Sequence, residues 1–188
     1  MPPMIVVVPV LRHPLVTLEP ANDQNVDLLV QWTLDPVAQG PYKRVPAMRP
    51  AELRALFLQS AERQYFLIRR TADGHPLGRF YYRAWRFGRE AEGIDWELNV
   101  LIADPQERGK GYGTAAQHIV LQYLLERPES RSVFAYTYRT NRAERRALEK
   151  AGFAEMGPLP HAHYRVAPPS EACILYAIVK GSKPSTEE

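Results

Sequence analysis

Two acidic residues on one predicted strand have the chemistry of a proton acceptor. Asp95 and Glu97 alternate with apolar Trp96 and Leu98 in the run IDWELNVLIADP. Alternate side chains of a strand point to the same face of a sheet, so both carboxylates face one side. A carboxylate that points into a pocket can accept a proton from an amine or water. The alternative interpretation is a pair of exposed charges on a sheet face.

Glycine and positive charge are concentrated in a turn that follows this strand, RGKGYG at residues 108–113. A helical pattern then runs from Tyr112 to about Glu126. Glycines let consecutive backbone N–H groups converge, and a helix start adds about half a positive charge. Arg108 and Lys110 add full charges. The turn therefore predicts an anion site, although its spacing fits neither the P-loop nor the dinucleotide fingerprint, and a plain flexible turn is the alternative.

Local periodicity predicts the elements that position these residues. The predicted strands are residues 16–18, 65–70, 77–85, 94–105, 132–139, 153–157 and 172–180. The predicted helices are one that is capped by Asn22 or Asp23 and runs to Thr33, and residues 50–63, 112–126 and 141–150. Asp73-Gly74 predicts a hairpin, and residues 35–49 are expected to form a loop. A run of antiparallel strands followed by β-α-β-α-β-β predicts an α+β, or mixed α/β, fold. One central sheet would then carry helices on both faces.

Composition narrows the function classes. The formal net charge of +3 and the scattered Lys and Arg residues disfavour nucleic-acid binding, although RFYYRAWRFGR interleaves aromatic and basic residues. Cys173 is the only cysteine, which excludes an internal disulfide and fits a reducing, cytoplasmic compartment. We expect Cys173 to be a small core residue. The near pair His161 and His163 has no evident carboxylate partner, so no metal site is expected.

Two blocks of sequence resemble one family. The turn Arg108 to Gly113 matches the R/Q-x-x-G-x-G/A pyrophosphate loop of the GNAT superfamily of acyl-CoA N-acyltransferases. The block NRAERRALEKAGF at residues 141–153 resembles that family's N-x-x-A-x-x-x-Y-E-K-x-G-F segment, and the intervening helix and strand fit. With Leu148 before Glu149-Lys150, this block most resembles the branch that includes ribosomal-protein N-terminal alanine acetyltransferases.

The resemblance implies a GNAT-like fold with a single central, mostly antiparallel mixed sheet. It implies a GNAT N-acetyltransferase domain at residues 15–181. The composition of the flanking segments predicts an extended arm at residues 1–14 and a flexible polar tail at residues 182–188. The short N-terminal apolar run is broken by Pro9, so neither a signal peptide nor a membrane span is expected there.

The resemblance also implies acetyl-CoA as co-substrate, without a metal. The glycine turn would wrap the pyrophosphate, and a backbone N–H near residues 101–103 would polarise the thioester carbonyl. Asn141 would both cap the next helix and contact pantetheine. The implied cofactor-binding residues are Leu101, Ile102, Ala103, Arg108, Gly109, Lys110, Gly111, Tyr112, Gly113, Thr114, Asn141 and Arg146.

Catalytic roles follow from the same resemblance. Glu97 matches the position of the base glutamate of some members, with Asp95 as the alternative, and either could instead hold the substrate cation. The tyrosine that usually protonates the thiolate falls at Leu148, which cannot donate a proton. Tyr138, a nearby tyrosine, water, or unassisted departure of the thiolate are the remaining options.

The implied enzyme is an acyl-CoA-dependent N-acetyltransferase that acts on a primary amine by direct attack in a ternary complex. The amine could be a protein N-terminus, with the loop at residues 35–49 as one wall of a groove. It could also be a small cationic amine drawn to Asp95, Glu97, Glu90 and Glu92. A non-catalytic acyl-CoA-binding module is the alternative that Leu148 suggests. The acceptor, the length of the acyl group and a homodimer stay open, and no membrane partner is expected.

Overall fold

The computed structural model describes residues 8–85, 93–158 and 173–181. Its elements are β1 (Leu11–Arg12), β2 (Val16–Pro20), α1 (Val26–Leu34), α2 (Pro36–Gln39), α3 (Pro50–Gln59), β3 (Arg63–Arg70), β4 (Pro76–Trp85), β5 (Ile94–Ile102), α4 (Tyr112–Leu125), β6 (Ser130–Tyr138), α5 (Arg142–Lys150), β7 (Ala154–Pro158) and β8 (Cys173–Val179). Sequence predictions for residues 1–7, 86–92, 159–172 and 182–188, which include Glu90, Glu92, His161 and His163, lie outside the described residues.

The strands form one sheet in the order β1-β2-β3-β4-β5-β6-β8-β7. The pairing of β5 with β6 is parallel, and the other pairs of described strands are antiparallel. This confirms the predicted mixed, mostly antiparallel sheet. The predicted hairpin joins β3 to β4, and Gly74 takes the left-handed φ of 73° that its turn requires. Within the predicted arm, β1 pairs with β2 at the sheet edge.

Helices cover both faces of the sheet, as predicted. Helix α4 and the inner side of α5 cover one face, where the buried core includes Phe80, Trp96, Val120 and Leu148. Helices α1 and α3 cover the other face and form a second apolar cluster over β3. The predicted apolar stripe of α1 is buried there; it consists of Val26, Leu29, Val30 and Thr33.

Two predicted helices are longer than the observed ones. Helix α1 begins at Val26, later than a cap at Asn22 or Asp23 predicts, because the side chain of Asn25 bonds backbone groups of the preceding turn, accepting from Asn22 N and donating to Pro20 O. Helix α3 ends at Gln59, since residues from Arg63 onward pair with β4.

The predicted loop at residues 35–49 contains a short helix, α2. The side chain of Asp35 accepts a hydrogen bond from Val37 N at 2.8 Å, and Pro36 stands at the first helical position. Both are helix-start signals, which the three prolines of the segment had obscured.

Candidate active site

The parallel strands β5 and β6 separate part-way along their length. Their pairing runs from Ile94↔Ser130 to Glu97↔Phe134 and then stops. Beyond that point β5 stays paired with β4 as far as Ile102, and β6 stays paired with β8. The gap beyond Glu97 and Phe134 is called the wedge below. An extended ligand could pair with its backbone edges as an added strand does.

The edge of β5 at the wedge presents backbone groups of Ile102. Ala103 N donates to Leu77 O of β4 at 2.9 Å, so the N–H of Ala103 is committed to the sheet. Alternate residues of an antiparallel strand point their peptide groups to opposite sides. The N–H of Ile102 therefore faces the wedge, where it can donate to a thioester carbonyl.

A close backbone contact shapes this part of β5. The carbonyl oxygen of Leu101 lies 1.9 Å from the position that a Cβ on Gly78 would occupy. No side chain fits there, so the approach of β5 to β4 beside the wedge requires glycine. Sequence reasoning missed Gly78, although a glycine inside a strand pattern is a signal of close backbone approach.

The glycine turn, residues 108–113, lies between the end of β5 and the start of α4, as predicted. Gly109 and Gly111 have φ of 75° and 87°, values that favour glycine. Gly111 is the N-cap of α4, so the N–H groups of the first helical turn lack partners within the helix. A Cβ on Gly113 would lie 3.9 Å from Ile102 Cγ1, which places this turn beside the wedge.

The charged side chains of the turn have different partners. Lys110 is half-exposed, and its Nζ lies 3.2 Å from Glu107 Oε2. Arg70 of β3 also pairs with Glu107, at 3.3 Å, and so ties the turn to the β3–β4 hairpin.

Arg108 turns inward, where its guanidinium bonds backbone carbonyls. Nε donates to Ile102 O at 2.9 Å, and Nη2 donates to Ala38 O at 2.8 Å. Arg108 therefore fixes α2 against the end of β5 and places a positive charge at the wedge.

The opposite side of the wedge ends in Tyr138 and Asn141. The Tyr138 ring contacts that of Tyr42, with centroids 5.6 Å apart, and Tyr42 Oη donates to Thr140 O at 3.1 Å. Asn141 caps α5 as predicted, since its side chain accepts from Glu144 N at 3.3 Å.

Two α5 residues named by the resemblance have contrasting environments. Leu148 is fully buried in the core, and Arg146 is exposed. The position that usually carries the tyrosine acid therefore holds an apolar core residue.

Both predicted carboxylates are buried, so the interpretation of Asp95 and Glu97 as exposed charges is wrong. Glu97 is 1% exposed and lies at the closed end of the wedge. Its Oε2 accepts from Arg83 Nη2 at 2.6 Å and Trp85 Nε1 at 2.7 Å, whereas Tyr81 Oη approaches Oε1 at 3.4 Å.

Two tyrosines surround Glu97 on the same face of the sheet. Burial, with the Glu97 charge as a second cause, raises the pKa of Tyr136 to about 12. The pKa of Tyr81 is raised for the same two reasons. Both phenols therefore stay neutral near physiological pH.

Asp95 lies farther from the wedge than Glu97. It is 3% exposed and accepts hydrogen bonds from Arg131 and Ser132. Two residues of strand separate it from Glu97, roughly 7 Å. The structure thus brings one of the two predicted carboxylates to the wedge.

The structure also brings two hydrogen-bonded pairs of side chains to the wedge that the sequence did not predict. Lys43 Nζ donates to Asn99 Oδ1 at 3.0 Å, and Gln117 Nε2 donates to Glu144 Oε1 at 2.6 Å. Burial of the amino group, reinforced by Arg79, lowers the pKa of Lys43 to about 8, while Glu144 and Glu97 act in the opposite direction. Burial likewise raises the pKa of Glu144.

Cys173 is a core residue, as predicted. It is 2% exposed and pairs with Tyr138 across β8 and β6. Burial raises the pKa of its thiol, which keeps the sulfur in its unreactive protonated form.

A comparison with known protein families identifies the family and the fold. The sequence profile of the Acetyltransferase (GNAT) domain matches residues 16–154. The chain belongs to the GNAT acetyltransferase family. It is therefore an acyl-CoA-dependent acetyltransferase with acetyl-CoA as its co-substrate, and the predicted GNAT-like fold is confirmed.

Solved structures share this fold at low sequence identity. An acetyltransferase of the GNAT family from Bacillus anthracis is 15% identical over 93% of this chain and 100% of its own, with a TM-score of 0.69. Aminoglycoside acetyltransferase AAC(6')-Ib, in complex with coenzyme A and kanamycin, is 20% identical over 88% of this chain and 95% of its own, with a TM-score of 0.68. A GCN5-related N-acetyltransferase from Brucella melitensis is 22% identical over 92% and 79%, with a TM-score of 0.66. No curated protein matches the chain in sequence.

Two further observations concern membranes and metals. None of the helices in the described ranges has the length and apolar character needed to cross a bilayer. Among residues 8–85, 93–158 and 173–181, no three His, Cys, Asp or Glu side chains form a group that could hold a metal ion.

Proposed function

We propose that this GNAT protein is an N-acetyltransferase that moves the acetyl group of acetyl-CoA to a primary amine by direct attack in a ternary complex. The observation that supports this best is the wedge, which has the glycine turn beside its open end and the buried Glu97 carboxylate at its closed end. We assign the activity to residues 15–181 and a cytoplasmic location to the protein.

Acetyl-CoA would bind along the β5 edge of the wedge. The pyrophosphate would accept hydrogen bonds from the free N–H groups at the start of α4, and the pantetheine would pair with β5 as an added strand. The Ile102 N–H would then donate to the thioester carbonyl and stabilise the oxyanion that forms during attack. On the far side, Asn141 would contact the pantetheine with its amide NH2 group, since its side-chain oxygen caps α5.

Glu97 would accept the proton of the attacking amine, directly or through water. Arg83 and Trp85 hold Oε2, whereas the contact described for Oε1, with Tyr81, is long at 3.4 Å, so Oε1 is the oxygen that we assign to the proton. Asp95 is the less suitable candidate because Arg131 and Ser132 hold it at the paired end of β5. Tyr138 or water would protonate the departing thiolate.

Direct attack is favoured over an acyl-enzyme because the chain offers no suitable thiol. Cys173 is the only cysteine, it is buried, and burial raises its pKa. The amine nitrogen would form the new bond to the acetyl carbon while the carbon–sulfur bond breaks. The products would be an N-acetylamine and coenzyme A.

The test is a panel of amines and peptides with free N-termini, incubated with acetyl-CoA and, separately, with propionyl-CoA. We expect acceptor-dependent thiol release, matched one to one by acetylated product in mass spectrometry. Initial rates with both substrates varied should give intersecting double-reciprocal lines. Coenzyme A binding by calorimetry without thiol release from any acceptor would instead favour a non-catalytic acyl-CoA-binding module.

The panel also distinguishes the substrate classes. Peptides that begin with alanine test the resemblance to the ribosomal-protein alanine acetyltransferase branch. Aminoglycosides test the class named by the complex of the structural neighbour AAC(6')-Ib. Preferential use of one class would assign the acceptor, and equal use of both would show that the enzyme does not select between them.

A further inference from the structure

A buried arginine lies beside the wedge without a counter-ion among the described residues. Arg79 of β4 is 8% exposed and is the register partner of Leu101 on β5. Its side chain is on the same face as Tyr81 and Arg83, because these positions alternate with buried Phe80 on the core face. Arg79 Nε has no hydrogen-bond partner among the described residues; burial and Arg63 disfavour its charge, whereas Tyr81 and Tyr65 favour it.

Two more cations lie near Arg79. Arg63 of β3 is half-buried, and its Nε has no hydrogen-bond partner among the described residues. Burial acts to lower the pKa of Arg63, but its interactions with Tyr65 and Tyr81 outweigh burial and raise it. Both guanidiniums lie over the Tyr81 ring, Arg63 at 5.6 Å and Arg79 at 6.0 Å from its centroid. Lys43 is the third, and its charge is close enough to Arg79 that the two repel. Lys43, Arg63 and Arg79 are called the cation cluster below.

The carboxylates that face the cation cluster already have partners. Glu97 accepts from Arg83 and Trp85, and Glu144 accepts from Gln117. Burial lowers the pKa of both Lys43 and Arg79, which means that the protein disfavours their charged forms. A buried cation becomes stable when an anion is supplied to it. The cluster thus has the electrostatics of a site for a negatively charged ligand group.

We propose that the cation cluster binds an anionic group of the acceptor, so that the acceptor is an amine that also carries a carboxylate or a phosphate. This inference rests on the proposed N-acetyltransferase function. The anion would lie against Arg63 and Arg79, and the amine of the same molecule would point toward Glu97 and the thioester. A small cationic amine without an acidic group would meet the cluster's repulsion.

Matched acceptor pairs test this proposal. Tyrosine and tyramine, arginine and agmatine, and phosphoethanolamine and ethanolamine differ within each pair by one anionic group. We expect kcat/KM to be about tenfold or more higher for the anionic member, the effect of one charge-assisted contact. The last pair separates a phosphate preference from a carboxylate preference.

Arg79→Met should remove most of this preference by raising KM for the anionic member. The matched control is Arg69→Met, because Arg69 of β3 is ion-paired with Glu19 and is not part of the cation cluster. The control should retain the preference. Acetyl-CoA affinity and the thermal midpoint are measured for each variant, and Arg63→Met replaces Arg79→Met if the latter does not fold.

The outcomes separate the two proposals. Equal or better use of the neutral members by the wild type, with both members affected equally by Arg79→Met, would overturn the anionic site and leave acetyl transfer intact. If no amine is acetylated, the proposed N-acetyltransferase function is wrong, and ligand binding then tests the anionic site separately. Phosphoethanolamine should then still raise the wild-type thermal midpoint but not that of Arg79→Met, and no wild-type shift would overturn the site.

Discussion

The two sides of the wedge differ in the groups that they present to a ligand. The donor side, where acetyl-CoA would bind, presents mainly backbone groups, and the acceptor side, where the amine would bind, presents side chains. On the donor side, we propose that acetyl-CoA contacts backbone groups of β5, the glycine turn and the start of α4, which lie within the continuous stretch of residues 99–114, together with the Asn141 side chain across the wedge. On the acceptor side, side chains from β3, β4, β5 and the loop after α2 converge on one sheet face.

This difference determines which kind of ligand each side can recognise. Backbone N–H groups of a turn and a helix start bind any pyrophosphate, so the donor side suits a co-substrate shared across a family. Side chains set charge and shape one position at a time, so the acceptor side can change specificity without altering the fold. Variants on each side should therefore fail in different assays.

The largest expected effect comes from Glu97→Gln on the acceptor side. If Glu97 accepts the amine proton, turnover should fall about a hundredfold or more, the usual size of a general-base contribution. Acetyl-CoA affinity should stay near the wild-type value, because the described partners of the carboxylate, Tyr81, Arg83 and Trp85, lie outside the donor side. Steady-state rates and calorimetry measure the two quantities.

The pH dependence of Glu97→Gln distinguishes a base from a residue that only holds the substrate. The loss should shrink at high pH, where free amine is abundant and a base matters less. Removal of a holding residue would instead raise KM and show no rescue. Asp95→Asn is the matched control, and wild-type turnover in Glu97→Gln would move the role to Asp95 or solvent.

Gly78→Ala should lower both stability and acetyl-CoA affinity, because it distorts β5. The added Cβ would overlap the Leu101 carbonyl oxygen, so β5 must shift beside the wedge. Overpacking of this kind costs about 1–3 kcal/mol of unfolding free energy. Urea denaturation measures the loss, and acetyl-CoA affinity should fall with it. Gly74→Ala at the open hairpin tip is the control, where strain from its φ of 73° acts far from the wedge.

Local sequence pattern predicted most of the donor side. The strand-turn-helix order, the Asn141 cap and the antiparallel hairpin each depend on residues close together in the chain. The local hydrogen bonds of Asn25 set the start of α1, and the pairing of β3 with β4 set the end of α3. Helix α2 was missed because the three prolines of residues 35–49 predicted a loop and obscured its start signal, Asp35-Pro36.

The acceptor side could not be predicted, because it depends on strand register and on a loop without periodicity. Alternation placed Glu97 on a face, but only the register Arg83↔Glu97 gives it an ion pair. Arg63 and Arg79 approach each other across Tyr81 from two strands. No periodic signal in the sequence marks Lys43 as the loop residue that reaches Asn99.

Gly113→Val tests whether the glycine turn leaves space for the pyrophosphate, because it fills that space without straining the backbone. Gly113 has an ordinary helical φ and room for a Cβ, so the fold should tolerate valine while the side chain crowds the pyrophosphate. Acetyl-CoA Kd should rise about tenfold, ~1.4 kcal/mol. Gly111→Val is the comparison, because its φ of 87° predicts a loss of stability as well. Unchanged affinity in Gly113→Val would remove the turn from the donor site.

The smallest expected effect is a change in the free energy of unfolding with pH, which arises from burial of the Lys43 amino group on the acceptor side. Its folded pKa of about 8 lies below the unfolded value of 10.5, so between these pH values the unfolded chain binds more protons. Stability should therefore rise as pH increases through 8, by about 1 kcal/mol between pH 8 and pH 9. Urea midpoints at pH 7, 8 and 9 measure the rise. Lys43→Met should abolish it, whereas Lys180→Met, which removes an exposed lysine at the end of β8, should keep it. An identical rise in Lys43→Met would show that the Lys43 amino group carries no such penalty, and the cation cluster would then reduce to its two arginines.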